Sequence, residues 1–225
     1  MLRIVEDKAD TGGLRWYGLD KPSVTTVLDV IVKPYLEKWK RQKGEREAKR
    51  ISGEATALGT RVHTLWEQVF NGQDPAYVQH ASFGPEEHEK FKQAARDFMA
   101  EYIDRILETE IEVVSYDYGY GGTCDLYARL QDGTFAVFDL KTSKRLSDEV
   151  PLQTWAYSHA LLETGRRVDR RFAVHVRKDP PSKIGTYKVV EHHAHEDDKR
   201  GFLGALNLFK WVHRSTIEKR MGSYE

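Results

Sequence analysis

From Pro22 to Asn71-Gly72 the apolar residues recur at helical spacing, with Ser23 placed to cap the first turn and Pro34 to break an early helix. Within this stretch, residues Thr60 to Phe70 set Val62, Leu65, Trp66, Val69 and Phe70 on one apolar arc and leave His63 at its polar border. Pro85-Glu86-Glu87 opens a second amphipathic run, with Phe91, Ala94, Ala95, Phe98, Tyr102 and Ile106 on one face, which predicts a helix to about Thr109. The pattern then becomes alternating or continuously apolar. Glu112 to Tyr118, Thr123 to Leu130 and Phe135 to Lys141 read as adjacent strands, separated by turns at Gly119-Tyr120-Gly121-Gly122 and Gln131-Asp132-Gly133. Pro151 starts a helix through about Glu163, Arg171 to Arg177 and Thr186 to Glu191 read as strands, and Asp197 to about Lys219 as a closing helix. Residues 1–20, with Gly12, Gly13 and Gly18, read as a loop or small hairpin.

These elements predict an α/β fold, a small central mixed sheet flanked by helices with a helical N-terminal part. The 225 residues suit a single domain over 1–225, its helical part at about 20–110, a central sheet and helix at about 111–164, and closing strands and helix at about 169–219. Hydrophobic residues make up 40% and charged residues 31%, which excludes a collagen-like or mostly disordered chain. Because 35 Lys and Arg balance 35 Asp and Glu, a nucleic-acid partner must be held by a local basic patch. One cysteine, Cys124, rules out an internal disulfide or a four-thiolate cluster and fits a reducing interior. No stretch approaches the about 20 apolar residues that span a bilayer, and the N-terminus lacks a secretory plan, so no membrane partner and a cytoplasmic location are expected.

The richest segment chemically is Phe135-Ala136-Val137-Phe138-Asp139-Leu140-Lys141. It is apolar on both faces until Asp139 and Lys141, as a central strand would be. A carboxylate and an ammonium on one face at the end of such a strand cost desolvation, and about 6.5 Å of backbone separates them, room for a metal ion and a phosphate oxygen. The preceding strand brings Asp125. A two-residue loop at Asp132-Gly133 would turn Asp125 away from Asp139. A three-residue loop with Gly133 in the left-handed region sets Leu130 opposite Thr134 and Asp125 opposite Asp139, and the glycine favours this register. Two facing carboxylates repel unless a cation lies between them, and an oxygen-lined site suits Mg²⁺ or Mn²⁺. Gln153 and Tyr157, four apart, share one helix face.

In order along the chain, Gly59-x-x-x-His63, Gly122-x-x-Asp125, Asp139-x-Lys141-Thr142 and Gln153-x-x-x-Tyr157 resemble the PD-(D/E)XK nuclease superfamily. The likeness is closer to its RecB-like exonuclease branch, with the CRISPR adaptation nucleases and the mitochondrial genome maintenance exonuclease. It runs from about Ser23 to Tyr157, more than half of the chain. The resemblance implies a restriction-endonuclease-like fold and a metal held by His63, Asp125, Asp139 and the Leu140 backbone carbonyl. It further implies that Lys141 orients or activates the attacking water, while Gln153 and Tyr157 position substrate or Lys141. Glu112 resembles an acidic position often seen on the preceding strand. With Cys124 alone, the iron-sulfur cluster of some members is excluded. The activity so implied is metal-dependent hydrolysis of DNA phosphodiester bonds, most simply by an exonuclease in recombination, repair or phage DNA metabolism. Single-stranded DNA or linear duplex ends would be the partner, with any helicase or recombinase a separate chain.

Two other readings of the motifs stand beside it: a non-catalytic DNA-binding or recombination-complex subunit on the same fold, and a restriction-type endonuclease. From Lys33 to Arg50, eight basic residues face three acidic ones. Lys38, Lys40, Arg41 and Lys43 around Trp39 suit phosphate contacts and base stacking, or a solvated helix face with its aromatics in the core. Arg166, Arg167, Arg170, Arg171, Arg177 and Lys178 form a second basic cluster open to the same two readings. His192-His193-x-His195 has zinc-like spacing without a second ligand pair nearby. No phosphate-cradling GxxxxGK[ST], HExxH or GxSxG motif occurs.

Overall fold

In a computed structural model, residues 4–6, 14–18, 20–79, 83–178 and 181–222 are described. Strands β1 (Ile4–Glu6), β2 (Arg15–Tyr17) and β3 (Lys21–Pro22) make a small antiparallel sheet, one strand more than a hairpin. Ser23 then caps α1 (Val24–Leu28), its hydroxyl accepting the Thr26 N–H. Pro34 does not break a helix. It stands at the first turn of α2 (Pro34–Lys43), where its missing N–H costs nothing, and α3 (Glu45–Phe70) follows after Gly44. Asn71-Gly72 stops α3 as expected, Gly72 taking a φ of 74°.

Helix α4 (Pro85–Tyr102) opens on Pro85, with the Glu87 carboxylate accepting the Gly84 N–H. It ends at Tyr102, earlier than its apolar period suggests. Ile103 turns extended and begins β4 (Ile103–Ser115), so Ile106 lies on a strand. Two faces explain the mistaken period. Ile103 and Ile106 pack on one side of the sheet and Leu107 on the other, and pairing with the long neighbouring strand, through two bulges, prevails over helical spacing.

The main sheet runs in chain order through β4, β5 (Tyr120–Leu130), β6 (Phe135–Lys141), β7 (Arg170–Val176) and β8 (Tyr187–Glu191). Only β6 and β7 are parallel, because α5 (Val150–Glu163) crosses over between them, so the fold is α/β with a mixed five-stranded sheet. Helices α3 and α4 cover one face, where Leu126, Ala128, Phe138 and Leu140 meet Trp66 and Phe98. Helices α1, α5 and α6 (His195–Val212) cover the other, where Tyr127 and Val137 meet Trp155 and Phe202. The expected closing helix is two. At His213, whose ring lies 4.4 Å from that of Phe209, the chain turns into α7 (Arg214–Gly222). Among the described residues no helix is long and apolar enough to cross a membrane.

The turn between β4 and β5 is residues 116–119, and Gly121 and Gly122 belong to β5. Packing accounts for both glycines. A Cβ on Gly121 would stand 2.4 Å from Tyr17 Cγ, and one on Gly122 would stand 2.6 Å from Tyr157 Cε1. The missing side chains let the N-terminal sheet and α5 close on β5, and Tyr17 Oη lies 2.8 Å from Thr123 Oγ1. Gly121→Val should therefore destabilise the protein by about 1–3 kcal/mol, as overpacking does. Urea unfolding followed by circular dichroism measures this, and an unchanged midpoint would count against the close approach.

Candidate active site

The loop between β5 and β6 sets their register. Gly133, at φ 82°, lets the Leu130 N–H reach the Thr134 carbonyl, and Leu126 to Arg129 pair with Phe138 to Phe135. This is the three-residue register, and it aligns Asp125 with Asp139. The ladder itself stops at Leu126–Phe138. One residue further, the Asp125 side chain replaces the backbone partner, Oδ2 accepting the Leu140 N–H at 2.5 Å. A strand residue directs its N–H and carbonyl to the same neighbour, so the Leu140 carbonyl faces this opening as well.

Asp139 and Lys141 lie at the exit of β6, with Lys141 Nζ 2.6 Å from Asp139 Oδ2. Asp139 is almost wholly buried. Gln153 Nε2, from α5, donates to Asp139 Oδ1 and to Tyr157 Oη, both at 2.8 Å. Asp139 Oδ2 has no hydrogen bond, since the approach of Lys141 is an ion pair without hydrogen-bond geometry. From α3, His63 Nδ1 comes within 3.3 Å of Asp125 Oδ1. Gly59 permits this. A Cβ there would lie 2.9 Å from Thr142 Oγ1, so the glycine seats α3 against the segment that follows β6.

The electrostatics separate the two aspartates. Burial, and secondarily the charge of Asp125, push Asp139 up to about 6 despite Lys141. Burial acts on Asp125 too, but His63, Lys141 and the Leu140 N–H hold it below the ordinary carboxylate value. Burial opposes the charged forms of Lys141 and His63, and the neighbouring carboxylates nonetheless raise both.

Glu110 also belongs here, a residue the sequence pattern did not single out. It has a φ of 47° and falls between the pairs Thr109–Leu126 and Ile111–Cys124, opposite Asp125. His63, Glu110 and Asp125 each offer a ligand atom within 4.8 Å of the others. Burial and repulsion by Asp125 raise Glu110 to about 7. Glu112, the acidic residue singled out on this strand, pairs with Thr123 and lies outside that cluster. Its position is correct for a regular strand, and the left-handed residue at Glu110 is what the sequence does not announce. Three carboxylates around one opening and an imidazole beside them fit a divalent cation. His63, Glu110, Asp125, Asp139, Lys141, Gln153 and Tyr157 all line this opening, a cavity of about 300 Å³ that Arg15, Tyr17 and Ser23 also border.

Helix α2 buries none of its residues: Lys38, Lys40, Arg41 and Lys43 are exposed, Lys40 pairing with Glu37, and Trp39 is half-buried. Its aromatics thus stay outside the core. The second basic cluster is largely internal pairing: Arg166 with Glu108, Arg167 with Asp169, Arg170 with Glu191, and the buried Arg171 with Asp198. His192 Nδ1 lies 2.9 Å from Thr154 Oγ1, and the His192–His195 segment contributes to none of the metal-competent groups among the described residues.

No family model matches the chain. No curated protein matches it either. Among solved structures, SSO0001 is 15% identical at a TM-score of 0.45, covering 87% of this chain and 77% of its own. An alkaline exonuclease from Laribacter hongkongensis is 16% identical at a TM-score of 0.45, covering 92% and 95%. The same exonuclease in complex with dAMP matches at 15% identity and a TM-score of 0.41, covering 73% and 85%.

The raised Glu110 gives a signed pH dependence. Its folded value of about 7 exceeds the ordinary 4.5, so its penalty is full above about pH 7 and absent below about 4.5. In chelator, Glu110→Gln should melt higher than the parent protein at about pH 8, and the difference should vanish as pH falls to 4.5. Equal melting temperatures across that range would show that Glu110 is not held under repulsion.

Proposed function

We propose that the protein is a divalent-metal-dependent DNA nuclease, most simply an exonuclease. One observation carries the reading: an ion pair between the buried Asp139 and the half-buried Lys141 at the end of a central strand, converging with Asp125, Glu110 and His63 on one opening. A pair like this costs desolvation that a purely structural role does not repay, whereas phosphoryl chemistry uses both charges.

His63, Glu110, Asp125 and Asp139, with the Leu140 carbonyl, would hold the metal. Mg²⁺ or Mn²⁺ bound there supplies charge to a phosphate oxygen and lowers the pKa of water. Lys141 sets a point charge where negative charge develops on the phosphoryl oxygens, and its tether to Asp139 fixes that charge in space. Gln153 locks the Asp139 carboxylate through Oδ1, and Tyr157 in turn holds the Gln153 amide, so both act as positioning residues. The N-terminal sheet and the start of α1 wall one side of the cavity through Tyr17 and Ser23. A walled pocket suits a chain end better than a continuous duplex, which favours the exonuclease over the endonuclease. The exposed basic residues of α2 suit phosphate contacts with a single strand. Action in recombination, repair or phage DNA metabolism belongs to the same proposal, with any helicase or recombinase a separate partner.

Lys141→Ala should lower cleavage by at least about 100-fold while DNA binding stays within a few-fold. The assay uses end-labelled single strands, linear duplex and closed circles, with Mg²⁺, Mn²⁺ or EDTA, beside Asp139→Ala. Metal-dependent loss of linear DNA alone supports the exonuclease, and cutting of circles supports an endonuclease. DNA binding without any cleavage would favour the non-catalytic subunit.

A further inference from the structure

We propose that Asp117, His159 and Glu163 form a second cation site, of the kind that takes Zn²⁺, on a different face of α5 from Gln153 and Tyr157. It is independent of the nuclease proposal. The three side chains each offer a ligand atom within 4.8 Å of the others. His159 and Glu163 stand one helical turn apart, with Nε2 3.0 Å from Oε1. Neighbouring donors around a tetrahedral zinc ion are about 3.3 Å apart, so this spacing is already that of two ligands.

The histidine is the decisive group. Its Nε2 is buried and has no hydrogen bond, because its approach to Glu163 lacks the required geometry. The ring is clamped, stacked on Trp155 at 4.9 Å and set 5.0 Å from Tyr118.

Glu163 is oriented as metal-bound carboxylates are. Oε1 accepts the Ser115 hydroxyl at 2.5 Å, and Oε2 accepts the backbone N–H of Tyr116 at 2.7 Å and of Asp117 at 3.3 Å. Those bonds pin the β4–β5 turn to α5 without any ion, and by themselves they account for Glu163. They do not account for His159 Nε2, buried beside Glu163 without a hydrogen bond, or for the approach of the Asp117 carboxylate. One imidazole nitrogen with two carboxylates selects zinc over magnesium or calcium, which prefer all-oxygen sites. An ion here would tie the turn ahead of β5 to the helix that carries Gln153.

The test is calorimetric titration of Zn²⁺ alone into chelator-stripped protein carrying Glu110→Gln, Asp125→Asn and Asp139→Asn, which removes all three carboxylates of the other site. One equivalent should bind. Adding His159→Gln, or Asp117→Asn at an exposed side chain that leaves the core intact, should each weaken binding by at least about tenfold. Circular dichroism establishes that both variants remain folded. Absence of stoichiometric binding, or binding unchanged by both substitutions, would overturn the site.

Discussion

The candidate site depends on a place where the sheet stops being a sheet. Strands β5 and β6 pair as far as Leu126–Phe138 and then separate, and the Asp125 carboxylate bonds the Leu140 N–H in place of a backbone carbonyl. An unpaired N–H at that depth would be costly, so the side chain both relieves the fault and is aimed by it. The opening admits His63 from one face and Gln153 from the other, giving helices on opposite sides of the sheet a common destination. Beside it, Gly121 and Gly122 keep β5 bare enough for Tyr17 and Tyr157 to close the same region.

Charge is distributed there by position. Asp125 is held ionised by His63, Lys141 and a backbone N–H, whereas Asp139, deeper and facing another carboxylate, is pushed towards its neutral form. Glu110 adds a third carboxyl, raised to about 7 by burial and by Asp125, with His63 only partly offsetting them. Such crowding is unfavourable for an isolated protein and favourable once a cation is present, a common trade of stability for function.

Much of this was legible in the chain. The register followed from Gly133, because only a left-handed third loop residue sets Leu130 against Thr134. Asp139 and Lys141 announced themselves by interrupting an otherwise apolar strand. The α4–β4 boundary was not legible, since Ile103 and Ile106 continue a helical spacing that only pairing with β5 overrules. Nor was Glu110, whose left-handed backbone is a property of the folded strand that no neighbouring glycine or asparagine signals. Gly121 and Gly122 looked like a turn because glycine marks a turn and a close approach equally well. Lys33 illustrates a further limit: its 2.5 Å ion pair with Glu149 links α2 to the start of α5 across a sequence separation that no local pattern reaches.

Helix α2 contributes no side chain to either core. Its basic and aromatic residues are therefore exempt from the packing constraints that fix β6 or α5. Lineages carrying this fold can gain, lose or rearrange charges on that helix with little penalty in folding, while strand β6 stays unchanged.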